Sequence, residues 1–478
     1  MARFLLILLL VLAIAVPNCT GGGEGEGGPM ARGGQGTGAL EGRSLVVVVA
    51  DSLHARHLSA YSYARETSPY LDSLARGGVR MERALSQTSW TLSSITSLFT
   101  GLVQEVHGVL TPEQRLPDDG PPTLAESFQR AGYRTVGLVQ NAVVGPHTGL
   151  GRGFDRYRSV TFDAEGTEEL LEIAGAEVAA TDDGPPLLLY VHFGPPHMPY
   201  APPEPFRSAF VDPALQSDVT GSIRDCTEIT VAALAPDHPD VQRLVALYDG
   251  HVRYADDLLR RVTEPCLTGE RAERFAVLFT SDHGEAFMQH GAVGHNSFCY
   301  EPMVRIPWVI AAPGALPEGR VVPGPTSILD TLPTLLELFD LPIARGDLDG
   351  VSLASDLFRD ASASGAPREL YLSSRYPRDG KAAQFALVEG PWKLVSRRRG
   401  KPPALFDMRD DPDELVDLAR RLPERAEEMA LRLAERRAAF ARRRGEFEAE
   451  EAPLTRTLLR DLESLGYGGA DFDSIGGR

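Results

Sequence analysis

Lysine is almost absent from this 478-residue chain, occurring only at Lys381, Lys393 and Lys401 among 48 basic residues. Few positions can therefore supply a point-charge ammonium. The 66 acidic residues leave a formal charge of −18, the wrong sign for a protein that wraps nucleic acid through a general basic surface. An anionic substrate would need a locally positive pocket, such as one built on a metal. Cysteine is also scarce: Cys19, Cys226, Cys266 and Cys299 include no CxxC pair and no zinc spacing. Cys226 and Cys266 could pair in an oxidising compartment, or could be separate buried thiols. The apolar run Phe4 to Val16 behind Arg3 is too short to span a bilayer comfortably and has the length of a signal-peptide core. What is present is 43% hydrophobic and 24% charged residues, the balance of a folded globular protein long enough for one large or two smaller domains.

The leader predicts export to a periplasmic or other extracytoplasmic location. Two processing routes stay open: lipidation at Cys19, which would tether the protein to a membrane, or cleavage after Ala15. Residues 1–18 thus read as a signal peptide and 19–43 as a Gly-rich linker. Beyond it, Leu45 to Ala50 is a β-branched run of the kind buried on both sheet faces, and similar runs recur at Thr135 to Val139, Leu187 to Phe193, Phe275 to Thr280 and Ile306 to Ala311. Helical patterns lie between them at Ser68 to Gly77, Thr123 to Ala131 and Val241 to Thr263. This alternation predicts an α/β fold with a large, mostly parallel central sheet flanked by helices over 44–354, with reactive groups just past the strand ends. Residues 355–478 change texture to short strands and a charged helix from Pro423 to about Arg444, a small α+β C-terminal subdomain packed on the first.

Three segments carry chemistry. Asp51 emerges from an apolar strand and needs a partner such as a cation, or else caps a helix. Ser89 to Ser94 is hydroxyl-rich at a helix start, where a hydroxyl either caps or acts as a nucleophile beside the positive helix end. Asp282-His283-Gly284-Glu285, with His290 and His295 close behind, follows a buried strand and points to a metal or anion site. Asp and His ligands suit Mn²⁺, Zn²⁺ or Ca²⁺. His57, His107, His192 and His251 read as structural.

In this order the segments resemble the sulfatase family of the alkaline phosphatase superfamily, from about Ser44 to Gly468. The resemblance runs through Asp51-Ser52-Leu53, Thr91 to Gly101, Gly132-Tyr133, Pro196-His197-Met198-Pro199-Tyr200, Ser281 to Glu285 and Leu405-Phe406-Asp407. It implies one divalent metal ion held by Asp51, Thr91, Asp282 and His283. Thr91 would be the nucleophile, and His197 and His295 would be hydrogen-bond donors to the substrate's anionic oxygens. The chain departs from the family where Thr91 replaces the Cys or Ser that becomes formylglycine, where Ile95 replaces an arginine, where Leu138 to Asn141 replaces a lysine and histidine segment, and where Ser52 replaces a second acid. Threonine cannot give the aldehyde, because its β-carbon bears a methyl group. The expectation is a metal-dependent ester hydrolase of sulfatase type acting on an anionic phosphate, phosphonate or sulfate ester, phosphorus favoured. The alternatives are a phospho-group transferase to lipid or glycan, and a sulfatase-like binding protein without catalysis.

Overall fold

The apolar run ending at Ala50 becomes the strand Ser44–Ala50, buried along its whole length, at the centre of a nine-stranded sheet in the computed structural model of the chain. The structure describes residues 37–295, 298–342, 348–359, 368–374, 383–397, 401–456 and 458–460. The leader, Cys19 and most of the Gly-rich stretch lie outside them.

On one side of Ser44–Ala50 the sheet continues through Leu187–Phe193, Arg134–Val139 and Arg156–Ser159, all parallel. On the other it continues through the parallel Phe275–Ser281 and the antiparallel Trp308–Ala311 to Val79–Leu85, which pairs with Arg305–Ile306 and Arg320–Ser327. The run expected over Ile306 to Ala311 is split: Pro307, which has no N–H to give a ladder, separates two short antiparallel strands. The helices expected at Ser68, Thr123 and Val241 form as Pro69–Arg76, Leu124–Arg130 and Pro239–Thr263. Thr123 and Glu126 cap the second of them reciprocally.

Side chains alternate across the central strands, so each face has its own core. Leu45, Val47, Val49, Leu188 and Tyr190 pack with Leu92, Ile95 and Phe99 on one face. Val46, Val48, Leu189 and Val191 pack with Leu244, Leu258 and Leu259 of the long helix on the other. Cys226, Cys266 and Cys299 are free and separately buried.

A separate four-stranded antiparallel sheet, Glu369–Ser374, Gln384–Glu389, Trp392–Val395 and Ala404–Asp407, forms C-terminally. The charged helix runs Pro423–Arg443 and seats Ala426, Met429 and Leu433 in a core with Leu387, Leu394 and Leu405 of that sheet. Among the described residues no helix is long and apolar enough to cross a membrane.

Candidate active site

Parallel register assembles the site. Ala50 faces Ser281 across one ladder and Phe193 across the other, so Asp51 and Asp282 come next in the same row, just past the strand ends. Val49 is level with His192, and His192 with Val139, which brings Asn141 into the row of Asp51. Asp51, His192 and Asp282 are fully buried, and one ligand atom from each lies within 4.8 Å of the others.

Each carboxylate is fixed by hydrogen bonds. Asp51 Oδ1 accepts from Ser52 Oγ at 2.9 Å, and Oδ2 accepts from Asn141 Nδ2. Asn141 Oδ1 in turn accepts from the Val143 N–H at 2.8 Å, which settles the orientation of its amide. Asp282 Oδ1 accepts from the backbone N–H groups of Ser52, at 3.0 Å, and His283, at 2.8 Å. Its Oδ2 is buried with no hydrogen-bond partner among the described residues, as is His192 Nε2, which lies 3.6 Å from Asp51 Oδ2. Burial opposes the charge of Asp51, but His197, His192 and His283 outweigh it and hold its carboxyl far below the usual carboxylate range.

Thr91 opens the helix Thr91–Thr100 at the same end of the sheet. The N-cap, Trp90, makes no side-chain cap bond, and the Thr91 hydroxyl is not spent on capping. It lies 3.1 Å from His283 Nε2. His283 Nδ1 is 3.0 Å from the Gly284 carbonyl oxygen, which can only accept, so Nδ1 carries the proton and Nε2 accepts from Thr91. His283 Nε2 is also 3.4 Å from Asp282 Oδ2 and 4.0 Å from Asp51 Oδ1. Gly284 allows this turn, because a Cβ there would stand 2.2 Å from the Pro302 carbonyl oxygen. His197 and His295 complete the ring of buried imidazoles. The His295 ring centroid is 4.2 Å from that of His283 and 5.1 Å from that of His197. His197 Nδ1 donates to the Met198 carbonyl oxygen at 2.7 Å. Burial first, and then His197, push His295 down to about 3.

The four expected metal residues Asp51, Thr91, Asp282 and His283 therefore meet, with His197 and His295 beside them. Two expectations need correction. His192 is not a bland core residue, because its Nε2 is aimed at Asp51; strand parity was the signal, since Leu188, Tyr190 and His192 share the face that carries Val49 and Asp51. His290 does not join the site. It stacks on Tyr300 at 3.7 Å between centroids. His57, bonded to Asp249 at 2.7 Å, and His107, 3.2 Å from Ser97 Oγ, hold the structural places expected of them. Asn141 and Ser52, marked in the sequence only as departures from the family pattern, each lie two residues past a strand end. Ile95 is fully buried in the core.

With two carboxylates and imidazole nitrogens converging, two of them lacking a partner, the group could hold a divalent cation. The model of the family described as Sulfatase matches residues 43–341, more than half of the chain. Among curated proteins the chain is similar to arylsulfatase K of Xenopus laevis, 30% identical over 197 residues that make up 40% of this chain and 36% of that protein. It is also similar to the uncharacterized sulfatase YidJ of Escherichia coli (strain K12), 24% identical over 342 residues, 62% of this chain and 68% of that protein. The match thus spans about a third of the length of the arylsulfatase K relatives. Among solved structures, a phosphonate monoester hydrolase of Agrobacterium radiobacter superposes with a TM-score of 0.66 at 20% identity, covering 83% of this chain and 96% of its own. A 2-O GAG sulfatase superposes with a TM-score of 0.68 at 20% identity, covering 86% and 96%. At such identity the likeness carries the fold.

Proposed function

This chain belongs to the sulfatase family, and on that premise we propose that it is a metal-dependent ester hydrolase that works through Thr91, with phosphate or phosphonate esters favoured over sulfate esters. The observation that carries the reading is the Thr91 hydroxyl on His283 Nε2, beside Asp51 and the unpartnered Oδ2 of Asp282. Asp51, Thr91, Asp282 and His283 would hold one divalent cation, with His192 Nε2 as a further donor in reach of the same group. A bound cation lowers the proton affinity of a hydroxyl nucleophile and offsets charge on the transferring group.

The chain's own residues do the rest. Thr91, at a helix N-terminus whose first N–H groups face the anion, gives up its proton and attacks the central atom of the ester. His197 and His295 take up that proton, then donate to the anionic oxygens and pass a proton to the leaving group as the ester bond breaks. Water then attacks the Thr91 adduct at its central atom, and Thr91 leaves. A formylglycine hydrate could instead expel its adduct by breaking the carbon–oxygen bond, a route closed to threonine, and attack at the central atom is better suited to phosphorus than to sulfur. Ile95, buried in the core where the family pattern has an arginine, supports the same preference.

The test compares bis(4-nitrophenyl) phosphate, 4-nitrophenyl phenylphosphonate and 4-nitrophenyl sulfate as substrates of the metal-loaded protein. Turnover of a phosphorus ester that falls by at least about 10³-fold in Thr91→Ala supports the reading. Metal-loaded protein inert toward all three esters, or turnover that survives Thr91→Ala, refutes it.

A further inference from the structure

Glu285 is the one carboxylate of the site that the proposed chemistry does not use. It is fully buried, and its Oε2 has no hydrogen-bond partner among the described residues. Among the described residues its ion pair is with a histidine: Oε1 lies 3.1 Å from His295 Nδ1. An acid buried without an arginine or lysine costs free energy, so its place calls for a reason.

The backbone supplies the first part of that reason. Ala286–Phe287 and Val293–Gly294 form a two-stranded antiparallel ladder in which Ala286 faces Gly294. Glu285 and His295 are therefore the next facing pair, one step past the ladder on the side of the metal turn. Gly294 at φ +101° makes the turn into His295, a conformation that side-chain-bearing residues rarely adopt, and a Cβ there would press on Met198 Cε at 3.1 Å. The hairpin thus delivers an acid and an imidazole to each other by register.

The second part is chemical. A neutral imidazole carries one proton, on either nitrogen, and a partner on one nitrogen decides which. Ser52 Oγ stands 3.5 Å from His295 Nδ1, too far to compete with Glu285 Oε1 at 3.1 Å. We infer that Glu285 is a positioning residue that holds His295 as the Nδ1–H tautomer and so makes Nε2 the proton-accepting nitrogen. This rests on His295 being a residue of the proposed site. It assigns the two nitrogens different roles: Nδ1 anchors the ring, and Nε2 accepts a proton before it can donate one to substrate.

Side-chain ¹⁵N NMR of the full chain tests this without turnover, with the His295 signals identified by their loss in His295→Ala. Wild type should show a single Nδ1–H tautomer, and Glu285→Ala should show a mixture or the Nε2–H form. With bis(4-nitrophenyl) phosphate, Glu285→Ala should lower kcat by about 10- to 100-fold and leave KM within about threefold. An Nε2–H tautomer in the wild type overturns the inference, and so does a pure Nδ1–H form retained in Glu285→Ala. If that variant does not fold, the wild-type tautomer alone decides. Wild type inert toward every ester would sink the hydrolase reading, yet the tautomer would still settle the role of Glu285.

Discussion

Two of the groups of carboxylates buried in this molecule are treated differently by the chain. Glu301 and Glu414 are met by cations from elsewhere in the sequence. Arg83 grips Glu301 with two bonds of 3.1 and 3.2 Å, and the fully buried Lys393 lies 2.8 Å from Glu414 Oε1 and 3.6 Å from Glu301 Oε2. Burial works against the charge of Glu301, but Arg83, Lys393 and Arg305 together bring its carboxyl down to about 2. Asp51, Asp282 and Glu285 are buried as deeply, yet their ion pairs with described residues are all to histidine. A buried carboxylate must be met by a cation or by hydrogen bonds, or it takes up a proton. Where the chain provides the cation, the cluster is architecture. Where it provides only imidazole, amide and hydroxyl, the cluster could hold a cation from outside, as proposed above.

The strongest way to break this contrast is to remove the internal cation. Lys393→Met leaves Glu301 and Glu414 short of a partner and should destabilise the fold by about 3–5 kcal/mol, read as a lower denaturant midpoint at pH 7. Mn²⁺, Zn²⁺ or Ca²⁺ should not restore it; restoration would mean that the two clusters are alike.

Glu301→Gln sharpens the contrast through pH. The Glu301 carboxyl is depressed from 4.5 to about 2 in the folded chain. Its contribution is therefore fully present above about pH 4.5 and is lost as pH falls through about 2, and it is worth about 3 kcal/mol. The variant should be less stable than wild type by roughly that amount at pH 7, and the gap should close on acidification in paired urea titrations. A gap that does not change with pH would deny the ion cluster its charge.

The smallest expected effect lies in the second cluster. At a cation concentration of 100 Kd, wild type should gain about 2.7 kcal/mol of stability, and Asp282→Asn should gain little of it. Without cation, Asp282→Asn should unfold no more readily than wild type, because it removes an uncompensated buried charge. Calorimetric melts with and without Mn²⁺ measure both, and equal stabilisation of the two proteins would place the cation elsewhere.

The scarcity of lysine takes its meaning from the same comparison. The single fully buried lysine among the described residues, Lys393, serves architecture, and Lys401 is exposed. Among the described residues none of the site's ion pairs uses lysine.

Much of the site could be read along the chain because its signals are local. A β-branched run that stops at Asp51, a buried strand that stops at Asp282-His283, and a hydroxyl that opens a helix at Thr91 each announce themselves within about ten residues. The parts that escaped depend on register between distant segments. His192 differs from a core histidine only in which face of its strand it shares with Asp51. Asn141 reaches Asp51 across 90 positions, and the Ser52 N–H reaches Asp282 across 230. His290, close to Asp282 in sequence, is turned away onto Tyr300 by the hairpin that carries Glu285 and His295 together.

The sequence alone determined the strands, the helices between them and the candidate residues of the proposed site, because apolar periodicity and side-chain chemistry are properties of short stretches. Only the tertiary structure decided which buried acids would meet an arginine or lysine among the described residues and which would meet only histidine. That choice depends on which side chains different strands bring to one buried place, and burial makes an unpaired charge costly only once the fold has closed around it.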